Sequence, residues 1–143
     1  FIELLIIGEG KQHKLLKRRI ACSKNIKLIK WTNNLKHYFF NSNLFVLNSY
    51  YEGLPNILID AVNYETPCIA TDTSGVSDIL LGNKGGQIIK INEQKELERA
   101  IENAINNNKV LKSKIKLAKK RINRFTEKNL MLFENLFIKV FNN

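Results

Sequence analysis

Short apolar runs alternate with longer amphipathic stretches over the first two thirds of the chain. Five runs have the length and apolar content of buried strands, at residues 2–7, 26–29, 44–47, 67–71 and 87–91. Stretches with helical spacing or a proline in the first turn lie between them, at residues 11–22, 35–40, 55–64 and 76–81. Because strands that alternate with helices are joined by right-handed crossovers, the pattern predicts an α/β fold with a parallel sheet and helices on both faces.

The last third of the chain has a helical pattern throughout. Residues 93–107 carry apolar residues at four-residue spacing, namely Leu97, Ile101 and Ile105. After a turn at residues 106–108, a second helix carries one apolar stripe among Lys and Arg, formed by Leu111, Ile115, Ala118, Ile122 and Phe125. A final helix is predicted at residues 126–140, with Leu130, Phe133, Phe137 and Val140 inward. We therefore expect a core that carries the site at residues 1–92, and helices of the same domain at residues 93–143.

Length and composition limit the class of protein. The 143 residues, 44% hydrophobic and 25% charged, fit one globular domain and exclude a chain that is disordered throughout. No apolar run approaches the roughly 18 residues of a membrane span, and the first residues lack the basic start of a secretory signal. Cys22 and Cys68 are too few for a disulfide scaffold, so we expect reduced core thiols in a cytoplasmic protein. The start at Phe1, inside an apolar run, indicates part of a larger protein.

The net charge of +10 is unevenly distributed. Residues 1–48 hold 9 basic and 2 acidic residues, residues 49–89 hold 1 and 5, and residues 90–143 hold 13 and 6. A basic field attracts the phosphates of nucleic acid, anionic lipid or a small nucleotide, and charge alone does not choose among them. The abundance of Asn, Lys and Ile is also typical of an AT-rich genome, which weakens any argument from charge.

Candidate chemistry lies in the loops after the predicted strands, since ligands bind beyond the carboxyl ends of parallel strands. Gly8 and Gly10 after the first strand would let backbone approach a phosphate, although without a third glycine they favour a simple tight turn. After the third strand, Glu52 and Gly53 precede a helix that starts at Pro55, whose free N–H groups and dipole suit an anion. The Glu52 carboxylate would not help to hold phosphate, but it can accept hydrogen bonds from sugar hydroxyls.

A second carboxylate, Asp60, lies eight residues after Glu52 in the same predicted helix. One interpretation places Asp60 at the ligand end of the helix, hydrogen-bonded to a ribose. The other is that Asn56, Asp60 and Asn63, at spacings of four and three, form a plain solvated stripe. Spacing alone favours the stripe.

One segment resembles a known family. The sequence Asn48-Ser-Tyr-Tyr-Glu-Gly-Leu-Pro-Asn-Ile-Leu-Ile-Asp-Ala, followed by Pro67-Cys-Ile-Ala-Thr-Asp and Gly75, is similar to glycosyltransferase family 4 (group 1). The resemblance extends from residues 2–10 through residues 87–91, and the helical tail is compatible with it. The fixed carboxylate spacing and the Glu-Gly-Leu-Pro sequence make the match specific. It implies a Rossmann-like domain that binds a nucleotide-sugar and forms one half of a GT-B enzyme.

The same resemblance implies roles for individual residues. Glu52 would be the catalytic residue of this half and bind hydroxyls of the donor sugar, while Asp60 would hold the ribose. Backbone N–H groups around Gly53, Leu54 and Pro55 would face the sugar and the diphosphate. Further candidates for the substrate site are Lys30 and Trp31 beside the base and the glycines Gly8, Gly10 and Gly75.

The reaction implied by the resemblance is sugar transfer with retained anomeric configuration, without metal or cofactor. Charge and helix dipole would stabilise the diphosphate leaving group. The donor would be a UDP-sugar, and the acceptor a glycan or lipid-linked glycan of a bacterial envelope polysaccharide, made at the inner face of the membrane. The acceptor domain and the basic pair that neutralises the diphosphate would lie upstream. The chain alone is then expected to bind a nucleotide weakly and to catalyse nothing.

Three positions depart from the family pattern. Asp60 replaces the second glutamate and is one methylene shorter, which would loosen the ribose contact. Lys30 stands where a glycine is common, so the base pocket would differ. Asp78 stands where a glutamate is frequent after Gly75.

Several other residues have competing interpretations. His13 and His37 have no partner at metal-ligand spacing, which predicts surface histidines and no metal site. Trp31 either stacks on a base or packs at a strand end, and packing is the more common role. Tyr50 and Tyr51 are equally compatible with a pocket wall and with ordinary core. The basic stretch at residues 109–128 would either contact an anionic membrane surface or form a solvated helix face, and the solvated face is more typical.

Two other classes of function remain as alternatives. A basic nucleic-acid-binding module requires aromatic and basic residues interleaved on one surface, but residues 112–124 contain no aromatic residue, so no nucleic acid is expected. The second alternative is a non-catalytic, nucleotide-binding remnant. An acceptor domain with a basic pair upstream would support the enzyme instead.

Overall fold

The computed structural model describes the backbone of residues 2–141 and the side chains of residues 2–124, 126 and 131. In chain order its elements are β1 (Leu4–Ile7), α1 (His13–Arg19), β2 (Ile26–Ile29), α2 (Leu35–Asn41), β3 (Phe45–Leu47), α3 (Asn56–Asn63), β4 (Cys68–Thr71), α4 (Val76–Ile79), a 3-10 turn (Gly82–Lys84), β5 (Gln87–Ile89), α5 (Gln94–Asn106) and α6 (Asn108–Phe141). All strand pairs are parallel and helices flank them, which confirms the predicted α/β class. The chain divides into two compact units, residues 1–35 and residues 36–143.

The first unit contains the two-stranded sheet β1-β2. Leu4 pairs with Ile26 and Ile7 with Ile29, and the Gly8 N–H extends the ladder by donating to the Ile29 carbonyl at 3.0 Å. Apolar side chains of β1, β2 and α1 are at most half-buried, and no described residue from 2 to 35 is fully buried. The apolar pattern therefore forms the expected strands here without a fully buried core.

The second unit contains the three-stranded sheet β3-β4-β5 and its core. All four residues of the central strand β4 are buried, as expected for a strand paired on both sides. Ile69 of β4 and Ile89 of β5 pack with residues of α5 and α6, namely Ala100, Ala104 and Leu111. The core thus joins the sheet to the helical tail.

Helix α6 packs closely on the segment before β5 because a glycine lies opposite it. A Cβ added to Gly85 would lie 2.7 Å from the Ala118 Cβ and 2.8 Å from the Leu80 carbonyl oxygen. Neither distance is compatible with a real side chain. Gly85 therefore sets how near α6 can pack.

The helical tail differs in part from its prediction. The predicted separate helix at residues 126–140 is wrong, since α6 runs without a break from Asn108 to Phe141. The Thr126 hydroxyl donates to the Ile122 carbonyl at 3.0 Å, an i−4 bond inside the helix rather than a cap for a new one. Ile105, which shares the four-residue apolar spacing of α5, is 48% exposed, whereas the smaller Ala100 and Ala104 are buried in the core.

The remaining predictions for the tail are either confirmed or concern residues whose side chains the structure does not describe. The turn between the helices is confirmed at Asn107, and Leu111, Ile115 and Ala118 are buried as the stripe predicts. Ile122 is half-buried. The structure does not describe the side chains of five other positions predicted to be apolar and inward. They are Phe125, Leu130, Phe133, Phe137 and Val140.

The two cysteines occupy different environments, and both are free thiols. Cys68 in β4 is buried as predicted, and burial raises the pKa of its thiol far above the ordinary value. Cys22 is exposed, so its assignment to the core was wrong. Helix α1 ends at Arg19, three residues earlier, so its apolar face does not extend to Cys22.

Candidate functional site

The loop after β3 holds the first candidate carboxylate in a defined position. The Ser49 hydroxyl donates to the Glu52 carboxylate oxygen Oε1 over 2.6 Å. Glu52 itself is half-buried, whereas its neighbours Tyr50 and Tyr51 are 74% and 88% exposed. A short bond from a hydroxyl to an ionised carboxylate is strong and orients the carboxylate. The exposure of both tyrosines excludes the interpretation that they belong to the core.

A buried hydroxyl on the neighbouring strand fixes the start of this loop. Thr71, the last residue of β4, is 1% exposed. Its Oγ1 accepts a hydrogen bond from the Ser49 N–H at 3.0 Å and donates to the Ser49 carbonyl at 2.6 Å. Neither Ser49 nor Thr71 was assigned a role from the sequence pattern. The sequence does mark both: Ser49 is a hydroxyl residue three positions before a carboxylate, and Thr71 is a polar residue at the end of an otherwise apolar buried strand.

The loop after β4 meets the end of the Glu52 loop at a glycine. Gly75 has a φ of +77°, and a Cβ there would lie 3.2 Å from Leu54 Cδ1, 3.2 Å from Pro55 Cδ and 3.3 Å from the Gly53 carbonyl oxygen. The left-handed φ and the close contacts both favour glycine. The structure therefore brings together four candidates: Gly53, Leu54, Pro55 and Gly75.

Helix α3 begins at Asn56, four residues after Glu52. Pro55 is the residue before the first helical turn, and the Asn56 N–H donates back to the Leu54 carbonyl at 2.9 Å. No acceptor among the described residues bonds the N–H of Gly53 or of Leu54. A Cβ at Gly53 would have no neighbour within 4 Å. Two free N–H groups and a positive helix end can therefore receive an anion beside a carboxylate.

Asp60 lies one turn further along α3 on the exposed side of the helix. The opposite face, formed by Leu58, Ala61 and Val62, is fully buried. Asn56, Asp60 and Asn63 are all exposed, as the stripe interpretation requires, and the carboxylate remains accessible to a ligand. No hydrogen bond joins the Asp60 side chain to another residue within the described part of the chain. Asp78, in the short helix α4, is likewise exposed.

The first unit carries the remaining candidates at one edge of its own sheet. Gly8 follows β1 with a φ of +135°, and Lys30 follows the paired end of β2. A Cβ at Gly10 would meet no atom within 4 Å. Trp31 is 67% exposed, so the expectation that it packs at the strand end was wrong. Of the two histidines, His37 is exposed and His13 is half-buried.

Across the described residues, no three His, Cys, Asp or Glu side chains come close enough to hold a metal ion. No helix in the described part of the chain has the length and apolar character needed to cross a membrane.

Comparisons with known proteins match most of the chain to one family. A family model described as Glycosyl transferases group 1 matches residues 2–121. The capsular polysaccharide biosynthesis glycosyltransferase CapM of Staphylococcus aureus is 28% identical over 109 residues, covering 73% of this chain and 29% of CapM. An Escherichia coli protein, UDP-Gal:alpha-D-GlcNAc-diphosphoundecaprenol alpha-1,3-galactosyltransferase, is 28% identical over 93 residues, covering 62% of this chain and 24% of that protein.

The fold also matches a solved structure. A variant of S. aureus TarM, in complex with Fondaparinux, alpha-GlcNAc-glycerol and UDP, superposes with a TM-score of 0.83 at 26% identity, covering 94% of this chain and 29% of TarM. This likeness agrees with the predicted Rossmann-like half of a GT-B fold. The chain spans from 18% to 35% of the length of the curated relatives it matches.

Proposed function

The chain belongs to the group 1 glycosyl transferases, and from that premise we propose that it binds the nucleotide-sugar donor of a hexosyltransferase. The observation that carries the proposal is the loop between β3 and α3. There the oriented Glu52 carboxylate adjoins the free N–H groups of Gly53 and Leu54 at the start of a helix. A carboxylate suits the hydroxyls of a sugar, and the N–H groups suit a diphosphate.

The proposed roles follow from this placement. Glu52 accepts hydrogen bonds from the donor sugar, and the N–H groups of Gly53 and Leu54 bind the anion beside it. Asp60, exposed on the next turn of α3, binds the ribose. Gly75 supports the loop by packing against Leu54 and Pro55.

The candidates of the first unit are proposed as ligand contacts in their own right. Lys30 and the exposed Trp31 would contact a nucleotide base, and Gly8 and Gly10 would let backbone approach a phosphate. The E. coli relative is named for UDP-Gal and the TarM complex contains UDP, which supports a UDP-sugar as donor.

The whole protein, in this proposal, is a bacterial, cytoplasmic enzyme that retains the anomeric configuration without a metal. An N-terminal domain would supply the acceptor site and the cations that neutralise the diphosphate, since the matches cover only 29% of CapM and 24% of the E. coli relative. The acceptor would be a glycan or lipid-linked glycan, as the names of CapM and the E. coli relative suggest. Residues 1–92 would form the core of the donor domain and residues 93–143 its helices.

The exposed face of α6 favours a second partner, an anionic membrane surface. Residues 103–126 contain no acidic residue. Exposed cations surround the half-exposed apolar side chains Val110 and Leu117. The exposed cations are Lys109, Lys112, Lys116, Lys120, Arg121 and Arg124. Cations around apolar side chains are typical of helices at anionic lipid interfaces. The chain should therefore sediment with phosphatidylglycerol vesicles and should not sediment with neutral phosphatidylcholine vesicles. Equal sedimentation with the two kinds of vesicle would contradict this assignment.

Calorimetric titration tests the donor assignment. We expect the chain to prefer UDP over GDP and ADP and to bind UDP-galactose at least as well as UDP. Asp60→Asn should weaken both ligands, because both contain the ribose, whereas Glu52→Gln should weaken UDP-galactose alone. Glu102→Gln, an exposed residue of α5, is the charge-matched control. Failure of a folded chain to bind any of these nucleotides would refute the proposal for the chain by itself.

A further inference from the structure

One buried hydroxyl satisfies both backbone polar groups of a single loop residue. Thr71 Oγ1 accepts from the Ser49 N–H and donates to the Ser49 carbonyl, at 3.0 and 2.6 Å. Leu47, the last residue of β3, has its carbonyl oxygen 3.3 Å from the same hydroxyl. A hydroxyl has one proton to donate, and the shorter distance assigns that proton to Ser49. Ser49 is thus joined to β4 rather than only to its own strand.

This junction lies directly behind the carboxylate of the proposed sugar site. Because both of its backbone groups are held, Ser49 keeps one backbone orientation, and its hydroxyl reaches Glu52 Oε1 over 2.6 Å. No described residue bonds the second oxygen, Oε2. The series of hydrogen bonds therefore begins at Thr71 in the buried strand and continues through the backbone and the hydroxyl of Ser49 to Glu52. One oxygen of the Glu52 carboxylate then stays available to a ligand.

We infer that Thr71 is a positioning residue: through Ser49 it aims the Glu52 carboxylate at the donor sugar. This inference rests on the donor assignment proposed above. Thr71 contacts no ligand itself, being 1% exposed. Its contribution is to hold the carboxylate in the bound orientation before the sugar arrives, so that less rotamer freedom is lost on binding.

The same β4 region offers a matched control. Thr66 is also buried, 2% exposed, and its hydroxyl donates to the Phe39 carbonyl at 3.0 Å. None of the hydrogen bonds of Thr66 reaches the Glu52 loop. Thr66→Val and Thr71→Val therefore remove the same chemical group from similar surroundings, but only Thr71→Val releases Ser49.

Hydrogen exchange of the free chain tests the inference without a ligand. Thr71→Val should speed exchange of the Ser49 amide by about tenfold or more, because that N–H loses its acceptor. Thr71→Ser, which keeps the hydroxyl, should restore the slow exchange. Thr66→Val should leave the Ser49 amide unchanged. Unchanged exchange in Thr71→Val, or the same acceleration in Thr66→Val, would overturn the inference.

Titration with UDP and UDP-galactose tests the consequence for the sugar. Thr71→Val and Ser49→Ala should each weaken UDP-galactose by about tenfold, the loss expected for one bond to an ionised group. UDP itself should change less than about twofold in the same variants, since it has no donor sugar. Equal weakening of both ligands, or no rescue by Thr71→Ser, would mean a merely structural threonine. If the unsubstituted chain binds neither nucleotide, the donor assignment fails, and the exchange result still decides whether Thr71 holds Ser49.

Discussion

The two units of the chain have similar apolar patterns but very different interiors. In the first unit, the described residues 2–35 include no fully buried side chain. In the second, β4 is buried at every position and packs with β5, α5 and α6. Alternation of apolar runs and amphipathic helices therefore predicts which elements form, whereas the tertiary contacts around each strand determine how deeply it is buried.

The difference in burial also separates two kinds of candidate residue. Those of the first unit, Gly8, Gly10, Lys30 and Trp31, follow strands with half-buried side chains. The Glu52 loop is instead joined to a buried strand through Thr71 and packs on Gly75. We therefore expect the proposed sugar contact at Glu52 to be rigid in the free chain.

The largest predicted effect compares two strand isoleucines. Ile69→Ala should cost about 3–4 kcal/mol, because Ile69 is fully buried and its removal leaves a cavity in the core. Ile6→Ala, in half-buried β1, should cost about 1 kcal/mol. Urea unfolding followed by circular dichroism measures both. Equal costs would show that the first unit has a core as effective as the second.

The next largest predicted change in stability compares two glycines, one in each unit. Gly85→Ala should destabilise the chain by about 2–3 kcal/mol, since the new methyl group would overlap Ala118 and the Leu80 carbonyl and push α6 away. Gly10→Ala, in open space in the first unit, should change stability by less than about 0.5 kcal/mol. Thermal unfolding of the two variants is the measurement. A stable Gly85→Ala chain would mean that α6 can shift freely.

The sequence predicts the elements better than their contacts. All five strands and the residues of the Glu52 loop are evident from local pattern, since apolar runs and turn residues report on their own neighbourhood. Within the continuous α6, the Thr126 hydroxyl bonds to the Ile122 carbonyl instead of capping a new helix, a choice that local pattern does not reveal. The small residues Ala100 and Ala104 gain importance only once another element packs on them.

The candidate site shows the same division. Glu52, Gly53 and Asp60 stand in a recognisable segment, so they could be proposed from sequence. Thr71 is 22 residues from Ser49 along the chain, and only the pairing of β3 with β4 brings the two together. Contacts between distant segments of this kind leave no local pattern.

A third prediction separates support from ligand contact within the site. Gly75→Ala should cost about 1–2 kcal/mol, because its φ is +77° and the methyl group would press on Leu54 and Pro55. Gly53→Ala should leave stability unchanged but weaken UDP-galactose, since its methyl group would enter the open space next to Glu52. Thermal unfolding and calorimetry on both variants distinguish the two roles. Destabilisation by Gly53→Ala, or none by Gly75→Ala, would reverse the assignments.

The smallest predicted effect is a pH dependence within the second unit. Glu65, just after α3, accepts a 2.8 Å bond from Lys119 of α6. That hydrogen bond, together with the positive charges of Lys119 and Lys116, lowers the pKa of the Glu65 carboxyl below its ordinary value. A carboxyl with a lowered pKa contributes stability that is present above the unfolded pKa of about 4.3 and is lost as pH falls through the folded value.

Glu65→Gln isolates this contribution. The substitution keeps the backbone φ of +56° but removes the charge, so the cost of that conformation is the same in both proteins. At neutral pH the variant should be less stable by no more than about 0.5 kcal/mol, because the pair is partly exposed and screened by solvent. The difference should shrink as the pH falls through the lowered pKa of the Glu65 carboxyl, because protonation removes the charge that Lys119 and Lys116 stabilise. Urea unfolding between pH 7 and pH 3 measures the difference in unfolding free energy between the two proteins. A difference that increases in acid would contradict the lowered pKa.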